Sequence, residues 1–470
     1  MNSTKYLADL ALEAGRHFQC SETGFVHLNN MIPVFENVLF AYTLLRTRLV
    51  PNVQEAKDLL KKVLYFQNYI VEENKGHFPN HLHEYPFCKD PALGLKLLAP
   101  FYWMLKQFSS VLGESLTVQL MQSAETILEC CLQIHKNQPF PFFLEFRLAG
   151  ALVAFGQLRS NHEWIEKSQS LFQTLISNQL YEQYSTKQLA HILIGLQMCY
   201  HDLSNSPFKP LWDRIGQFWH AGLASYRGPC LIETQEGEEP ATNLFDLFGC
   251  YFSGKFSSRT YTPHAFHLHG ILIQPSNDQL IQSDHFHYSN ENWSVFGDKD
   301  WACTLLKKEN SKHRNHTCFR YLWGSLEKLH SFVCQGGNAD NIQFLYDNGQ
   351  IQLFFDLLEI PTTEEGKTKK EIEFFIDIHP ELQIKIEGSS SNTFEMGQSV
   401  EFLLGNRRCA LSAEIVEGSG DFMGHLMRGN RPSQTKHKGD HRFMAYDWTF
   451  FLRSIRRKGQ CKIKITLSFI

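Results

Sequence analysis

At 470 residues the chain has room for roughly two to three domains, and its 43% apolar and 20% charged composition describes an ordinary globular protein, excluding disordered and fibrous classes. The formal net charge is −4, but unevenly spread: from Phe422 to Ile470 eleven Lys and Arg stand against Asp440 and Asp447, so the tail carries +9 and the remainder −13. No apolar run approaches the roughly 18 residues of a membrane span, and Asp9 and Glu13 interrupt the first apolar stretch, which reads as an amphipathic helix rather than a signal peptide.

Apolar periodicity predicts helices at about 6–20, 29–49, 52–73, 91–112, 114–136, 142–159, 161–180, 185–203 and 207–226. The segments beginning at 29, 91, 142 and 185 are apolar or small on most faces, as in IPVFENVLFAYTLL and FFLEFRLAGALVAFG. Those between, such as VQEAKDLLKKVLYFQ, carry one apolar stripe and one charged face. Buried helices alternating with half-exposed ones imply a double-walled ring of helical hairpins, an α/α toroid here incomplete, with loops converging on a central cleft.

After the polar break ETQEGEEPATN the pattern changes to period two. Eleven strand-like runs follow, from HAFHLHGILIQP to CKIKITLSFI, and imply a large antiparallel sandwich. PTTEEGKTKK and RRKGQ read as hairpin loops between them. The expected fold class is therefore α+β multidomain, with residues 1–230 a helical toroid and 231–470 an antiparallel β-sandwich.

Twelve scattered cysteines without a CxxC pair read as free thiols of a reducing compartment, so a cytoplasmic product is expected, non-classical export remaining open. The sequons at Asn292 and Asn315 then carry no weight. Walker A, GxGxxG and GxSxG motifs are missing, which argues against nucleotide, dinucleotide and serine-hydrolase chemistry. The basic tail favours an anionic partner, whether a polyanionic sugar, an acidic protein or, least expected, a nucleic acid; a solvated edge-strand face is the structural alternative.

The richest polar cluster of the helical half is FPNHLHEYP, where Asn80, His81, His83, Glu84 and Tyr85 lead into an inner helix. An amide, a general base and a phenol so close together suit proton abstraction beside an acid group, or else the loop caps itself. Glu145 and Arg147 head the next inner helix, two residues apart and so not a helical ion pair, pointing either to a cleft or to a buried pair. His191, between Ala190 and Ile192, reads more readily as a core histidine than as a catalyst, with Tyr200 on the same helix. The junction supplies Asp246, Tyr251, Lys255, Arg259, Tyr261 and His264, as an interdomain ligand loop or as linker packing. His267 and His269, then His285 and His287, form two HxH pairs, which on a hairpin could hold zinc or another divalent metal.

A helical toroid followed by a large sandwich resembles the polysaccharide lyases of the heparinase II/III, alginate and chondroitin lyase type, over nearly the whole chain but as an order of elements. Asn80 and His81 resemble the Asn-His pair with which several such families neutralise a uronate carboxylate. The resemblance implies β-elimination on an acidic polysaccharide, requiring no cofactor, with a tyrosine moving the proton. Tyr251 and Tyr85 are the tyrosines available for that role, and His264 or His267 would come from the second half. Glu145, Arg147, His83, Glu84 and Arg259 would line the substrate. On the loop where the family tyrosine is expected, HKNQPFPFF has Phe and no Tyr, so either the tyrosine comes from elsewhere or catalysis is lost. A non-catalytic binding or scaffold protein using the basic tail, and a metal-dependent sandwich enzyme built on the HxH pairs, are the competing classes.

Overall fold

The computed structural model describes the chain apart from residues 1–2, 73–74, 91, 178–184, 230–243, 257–262, 281–284, 308–316, 328, 336–337, 348, 360–368, 377–380, 405–406, 433–445, 458 and 470. Each of the nine helical patterns becomes a helix: α1 (Ser3–Phe18), α2 (Val34–Thr47), α3 (Val50–Leu64), α4 (Ala92–Leu112), α5 (Glu114–Asn137), α6 (Phe142–Arg159), α7 (His162–Ser177), α8 (Thr186–Cys199) and α9 (Lys209–Phe218). Two more follow residue 230, α10 (Leu244–Ser253) and α11 (Ala265–His269).

In α2 every residue from Val34 to Leu45 except Glu36 is buried, whereas α3 buries only Ala56, Leu59, Leu60 and Val63. Apolar residues on all faces need protein on all sides, so α2, α4, α6 and α8 form the inner wall, and α3, α5 and α7 lie outside with their charged faces in solvent. Neighbours along the inner wall run α2, α4, α6, α8, α10, α11 and back to α2. The two helices beyond residue 230 therefore close the ring.

The tightest inner contact joins α6 to α8. A Cβ on Gly150 would stand 2.2 Å from the Gly195 carbonyl oxygen, and one on Gly195 would stand 2.3 Å from the Phe146 carbonyl oxygen. Backbone touches backbone there, which only glycine allows.

At the foot of α9, β1 (Trp219–His220) pairs with β2 (Ser225–Tyr226). The strands that follow are β3 (Phe286–Ser289), β4 (Trp293–Asp298), β5 (Trp301–Leu306), β6 (Thr317–Gly324), β7 (Leu329–Gln335), β8 (Ala339–Asp347), β9 (Gln350–Leu357) and β10 (Lys369–Ile376). The chain continues through β11 (Gln383–Ile386), β12 (Thr393–Glu395), β13 (Val400–Leu404), β14 (Arg407–Glu417), β15 (Gly420–Pro432), β16 (Tyr446–Arg457) and β17 (Cys461–Phe469). They build a nine-stranded sheet, β12-β15-β16-β10-β7-β6-β5-β4-β3, and a six-stranded sheet, β11-β13-β14-β17-β9-β8. All of their pairings are antiparallel. Alternation places Ile351, Leu353, Phe355 and Leu357 of β9, and Ile463, Ile465 and Leu467 of β17, in the core between the sheets.

Three readings change. HAFHLHGILIQP is helical rather than extended: His264 caps α11, its Nδ1 accepting from the Phe266 amide at 3.3 Å. A short apolar run looks alike in a strand and in a buried helical turn. RRKGQ does not join strands of one sheet, since β16 and β17 belong to different sheets, and PTTEEGKTKK lies largely outside the described residues, between β9 and β10 of different sheets. Periodicity marks a strand but carries no information about which sheet it joins. β15, rich in glycine and basic residues, was not foreseen at all, and it nevertheless pairs along β16.

The nine-stranded sheet sits on the ring through residues 218–228. Phe218 packs edge-on to Trp293 at 5.2 Å, the Arg227 guanidinium stacks 4.3 Å from the Phe286 ring, and Arg320 Nη2 donates to the Tyr226 carbonyl at 2.7 Å. Of the basic tail, Arg457 is buried against Glu371, Lys462 stands 3.4 Å from Asp356, and Lys464 pairs with Glu414.

The α6–α8 contact generates a prediction. Gly195→Ala gains about 1 kcal/mol of helix propensity but meets a backbone oxygen that cannot swing aside, an overpacking cost of roughly 1–3 kcal/mol or more. Denaturant unfolding is expected to show a net loss of stability, and an unchanged or raised midpoint would contradict the close approach.

Candidate active site

The inner helices all direct their N-terminal turns to one end of the ring. Glu36 is in the first turn of α2, Leu93 and Lys96 open α4, Arg147 is in the second turn of α6, and Lys187 and His191 lie in the first two turns of α8. With Asn80, His81, Phe266 and His269 these residues line a cavity of about 480 Å³, the size of a small-ligand site. Leu272 lies at its inner side. Beyond it Gln274 fills the ring axis, donating to the Tyr42 hydroxyl at 3.3 Å and to the Leu272 carbonyl, while Gln107 donates to its side-chain oxygen at 2.9 Å. Helix N-termini carry unsatisfied N–H groups and positive dipole ends, so the wall is electropositive even before side chains are counted.

Arg147 is the most constrained group in it, with only 2% of its surface exposed and no carboxylate partner among the described residues. Its Nε donates to His191 Nδ1 at 3.0 Å, and its Nη1 donates to the Lys96 carbonyl at 3.5 Å. That carbonyl is free because Pro100, four residues on inside α4, has no N–H to donate to it. Burial holds the guanidinium down to about 9. Since arginine can only donate, His191 Nδ1 is the acceptor and its proton sits on Nε2. Burial first, then the charges of Arg147, Lys96 and His269, hold His191 well below the usual imidazole range, so it is a neutral donor.

Opposite, His269 Nε2 lies 3.3 Å from Glu36 Oε1. Burial pushes the Glu36 carboxyl up, but the His269 hydrogen bond and charge, helped by Lys96, outweigh it and hold the group below its ordinary value. The carboxylate is ionised and fixes Nε2 of His269 as the donor.

The FPNHLHEYP loop reaches the cavity because its backbone pairs with the strand entering α2: the Val34 amide donates to the Asn80 carbonyl at 2.9 Å and the Leu82 amide to the Ile32 carbonyl at 3.0 Å. Only Asn80 and His81 of that cluster line the cavity. Glu84 caps the turn through the His81 amide at 3.1 Å, exposed His83 stacks on His81 at 5.7 Å, and Tyr85 packs edge-on to Phe66 at 5.6 Å.

Other expected residues lie elsewhere. Arg147 and Glu145 part company, Glu145 standing 3.8 Å from His135 on α5. Tyr251, on α10, has its hydroxyl 3.5 Å from Thr4 and is not among the cavity's residues. His264 is the α11 cap, and Tyr200 packs on Phe172 and Phe208. Asp246 is buried within α10, Lys255 is exposed, and Arg259 and Tyr261 lie outside the described residues. No described tyrosine lines the cavity.

The four histidines of the HxH pairs form no metal-holding group among the described residues. A helical turn, unlike a strand, does not put residues two apart on one face: His267 Nδ1 accepts from the His264 amide at 3.2 Å, while His269 turns to Glu36. His285 is exposed beside Asp298 at 3.3 Å and His287 packs against Phe296. Among the described residues no three His, Cys, Asp or Glu side chains form a metal-holding group.

Glu36 and Lys96 were not singled out from the sequence, and His191 was read as core. Their signal was positional: each lies in the first two turns of an apolar inner helix, where a charge or imidazole has only the ring's mouth to face.

No family model and no curated protein matches the chain in sequence. Among solved structures it is similar to a crystal structure of heparinase III, at a TM-score of 0.51 and 8% identity, covering 100% of this chain and 85% of that one. A heparinase III gene product follows at a TM-score of 0.44 and 10% identity, covering 93% of this chain and 77% of that chain. A chondroitinase AC lyase structure has a TM-score of 0.36 and 9% identity, covering 98% and 82%. The chain has the α/α-toroid plus β-sandwich architecture of heparinase III, and at such identity the likeness concerns the fold.

The His191 environment gives a pH prediction. Below the ordinary imidazole pKa of about 6.5 the unfolded chain binds a proton that the folded protein refuses. The stability contributed is therefore complete above that pH and is lost as pH falls towards the depressed value. Unfolding of wild type and His191→Gln at pH 7.5 and 5.5 is expected to show a smaller acid-side loss in the variant, and equal losses would contradict a neutral His191.

Proposed function

We propose that this protein is carbohydrate-active and lyase-like, acting on an acidic, uronate-containing polysaccharide by β-elimination. The observation that carries the reading is the cavity at the mouth of the ring, electropositive through its helix ends, Lys96 and Arg147. In a fold shared with heparinase III, that is a place for an anionic sugar ring.

Neutralising the uronate carboxylate acidifies the neighbouring C–H, a task assigned in this reading to Asn80, which lines the cavity, with the cationic wall. A base must then take the C5 proton as the C4–C5 double bond forms and the C4–O bond breaks, the leaving oxygen taking a proton from water; in the absence of a described tyrosine the histidines of the lining are the groups for the base. His269 suits it better than His191: in its neutral form, with Nε2–H given to Glu36, Nδ1 is the acceptor, whereas the acceptor nitrogen of His191 is occupied by Arg147. The described cysteines are all free thiols, which suits a reducing compartment such as the cytoplasm.

A second reading, a non-catalytic protein that binds an acidic glycan, is favoured by one observation, the lack of a described tyrosine in the lining. An ultraviolet assay for unsaturated uronate products on a panel of acidic glycans separates the two. The lyase reading expects product from at least one glycan, with His269→Ala lowering the rate by about 100-fold, within the usual range for a general base. Binding without product on every glycan would leave the second reading.

A further inference from the structure

We infer that Arg147 and His191 form a seat for a single carboxylate, the uronate of the acidic sugar, within the larger cavity. The inference rests on the acidic-glycan reading above and deepens it, naming the two residues of the cationic lining that would hold the carboxylate.

Three observations carry it. Arg147 is almost wholly buried, yet its charge meets only a neutral imidazole and one backbone carbonyl. A buried cation without a counter-charge is costly, and an anion entering the cavity would supply the missing partner. Next, its Nη2 has no partner among the described residues, and the proton of His191 is forced onto Nε2, likewise without one. Both residues line the cavity from adjacent inner helices, held together by the glycine contact between α6 and α8, so two donors are available there to an entering anion. Finally, the surroundings select charge. Lys96 lies on the same wall, itself 3.9 Å from Asp90, while the one carboxylate in the lining, Glu36, is occupied by His269. A neutral sugar would leave Arg147 unmatched.

The test is equilibrium binding, independent of turnover. Methyl glucuronide, galacturonide and mannuronide lack a leaving group at C4 and cannot be cleaved by elimination. Each is titrated by NMR against its neutral methyl glycoside and the 6-sulfate of that glycoside. At least one uronide is expected to bind about tenfold or more tighter than both counterparts, as a charge-assisted pair allows. Arg147→Met should abolish that preference, leaving the neutral glycoside unchanged. Should Arg147→Met fail to fold, His191 offers a second probe: His191→Gln keeps an acceptor for Arg147 and a donor for the ligand and should retain the preference, whereas His191→Leu should lose it.

Equal binding of uronide and neutral glycoside, tighter binding of the sulfate, or an undiminished preference in both Arg147→Met and His191→Leu would overturn the seat. If uronides are preferred but no glycan is cleaved, the lyase reading falls and the seat stands. If glycans are cleaved while those variants bind uronides like wild type, the seat alone falls.

Discussion

A guanidinium buried at the ring's mouth without a carboxylate is the constraint around which the helical part is arranged. Taking Arg147 out of water costs several kcal/mol unless its donors are met. The protein meets two of them, Nη1 with a carbonyl that Pro100 releases from the α4 ladder and Nε with an imidazole on α8. Both partners depend on spacing between helices, and the Gly150–Gly195 contact sets it one turn away. Burial first, and then the Arg147 charge, keeps His191 neutral, and the Arg147 hydrogen bond sets which of its nitrogens carries the proton.

Ring closure explains why the second half of the chain matters to a site made by the first. Phe266, His269 and Leu272 all come from beyond residue 230, and they bring the Glu36 partner and the inner lining of the cavity. The sandwich packs on this arrangement through Phe218, Arg227 and Arg320, and none of its described residues is in the cavity lining. Of its described basic residues, Arg457, Lys462 and Lys464 pair with acidic neighbours on adjacent strands.

Local pattern made the helices legible: VFENVLFAYTLL can only be a helix buried on every side, and VQEAKDLLKKVL only one with a wet face. It failed at HAFHLHGILIQP, where a short apolar run suits either state, and at β15, where glycines and arginines hide a strand stabilised by its partner β16. For the site, Asn80, His81 and Arg147 were legible as polar residues at the heads of apolar helices. The phenols of Tyr85 and Tyr251 were not separable from the site by sequence, because proximity along a loop does not state which way a side chain turns.

What the sequence by itself determined is the order of a helical ring before a sandwich, since amphipathic period depends only on neighbours along the chain. Only the tertiary structure decided that α10 and α11 close the ring, that Glu36 meets His269 across 233 residues, and that Arg147 meets His191 across 44. Those pairings join charges distant in sequence, and their protonation follows from burial and from each other, quantities that exist only once the helices have packed.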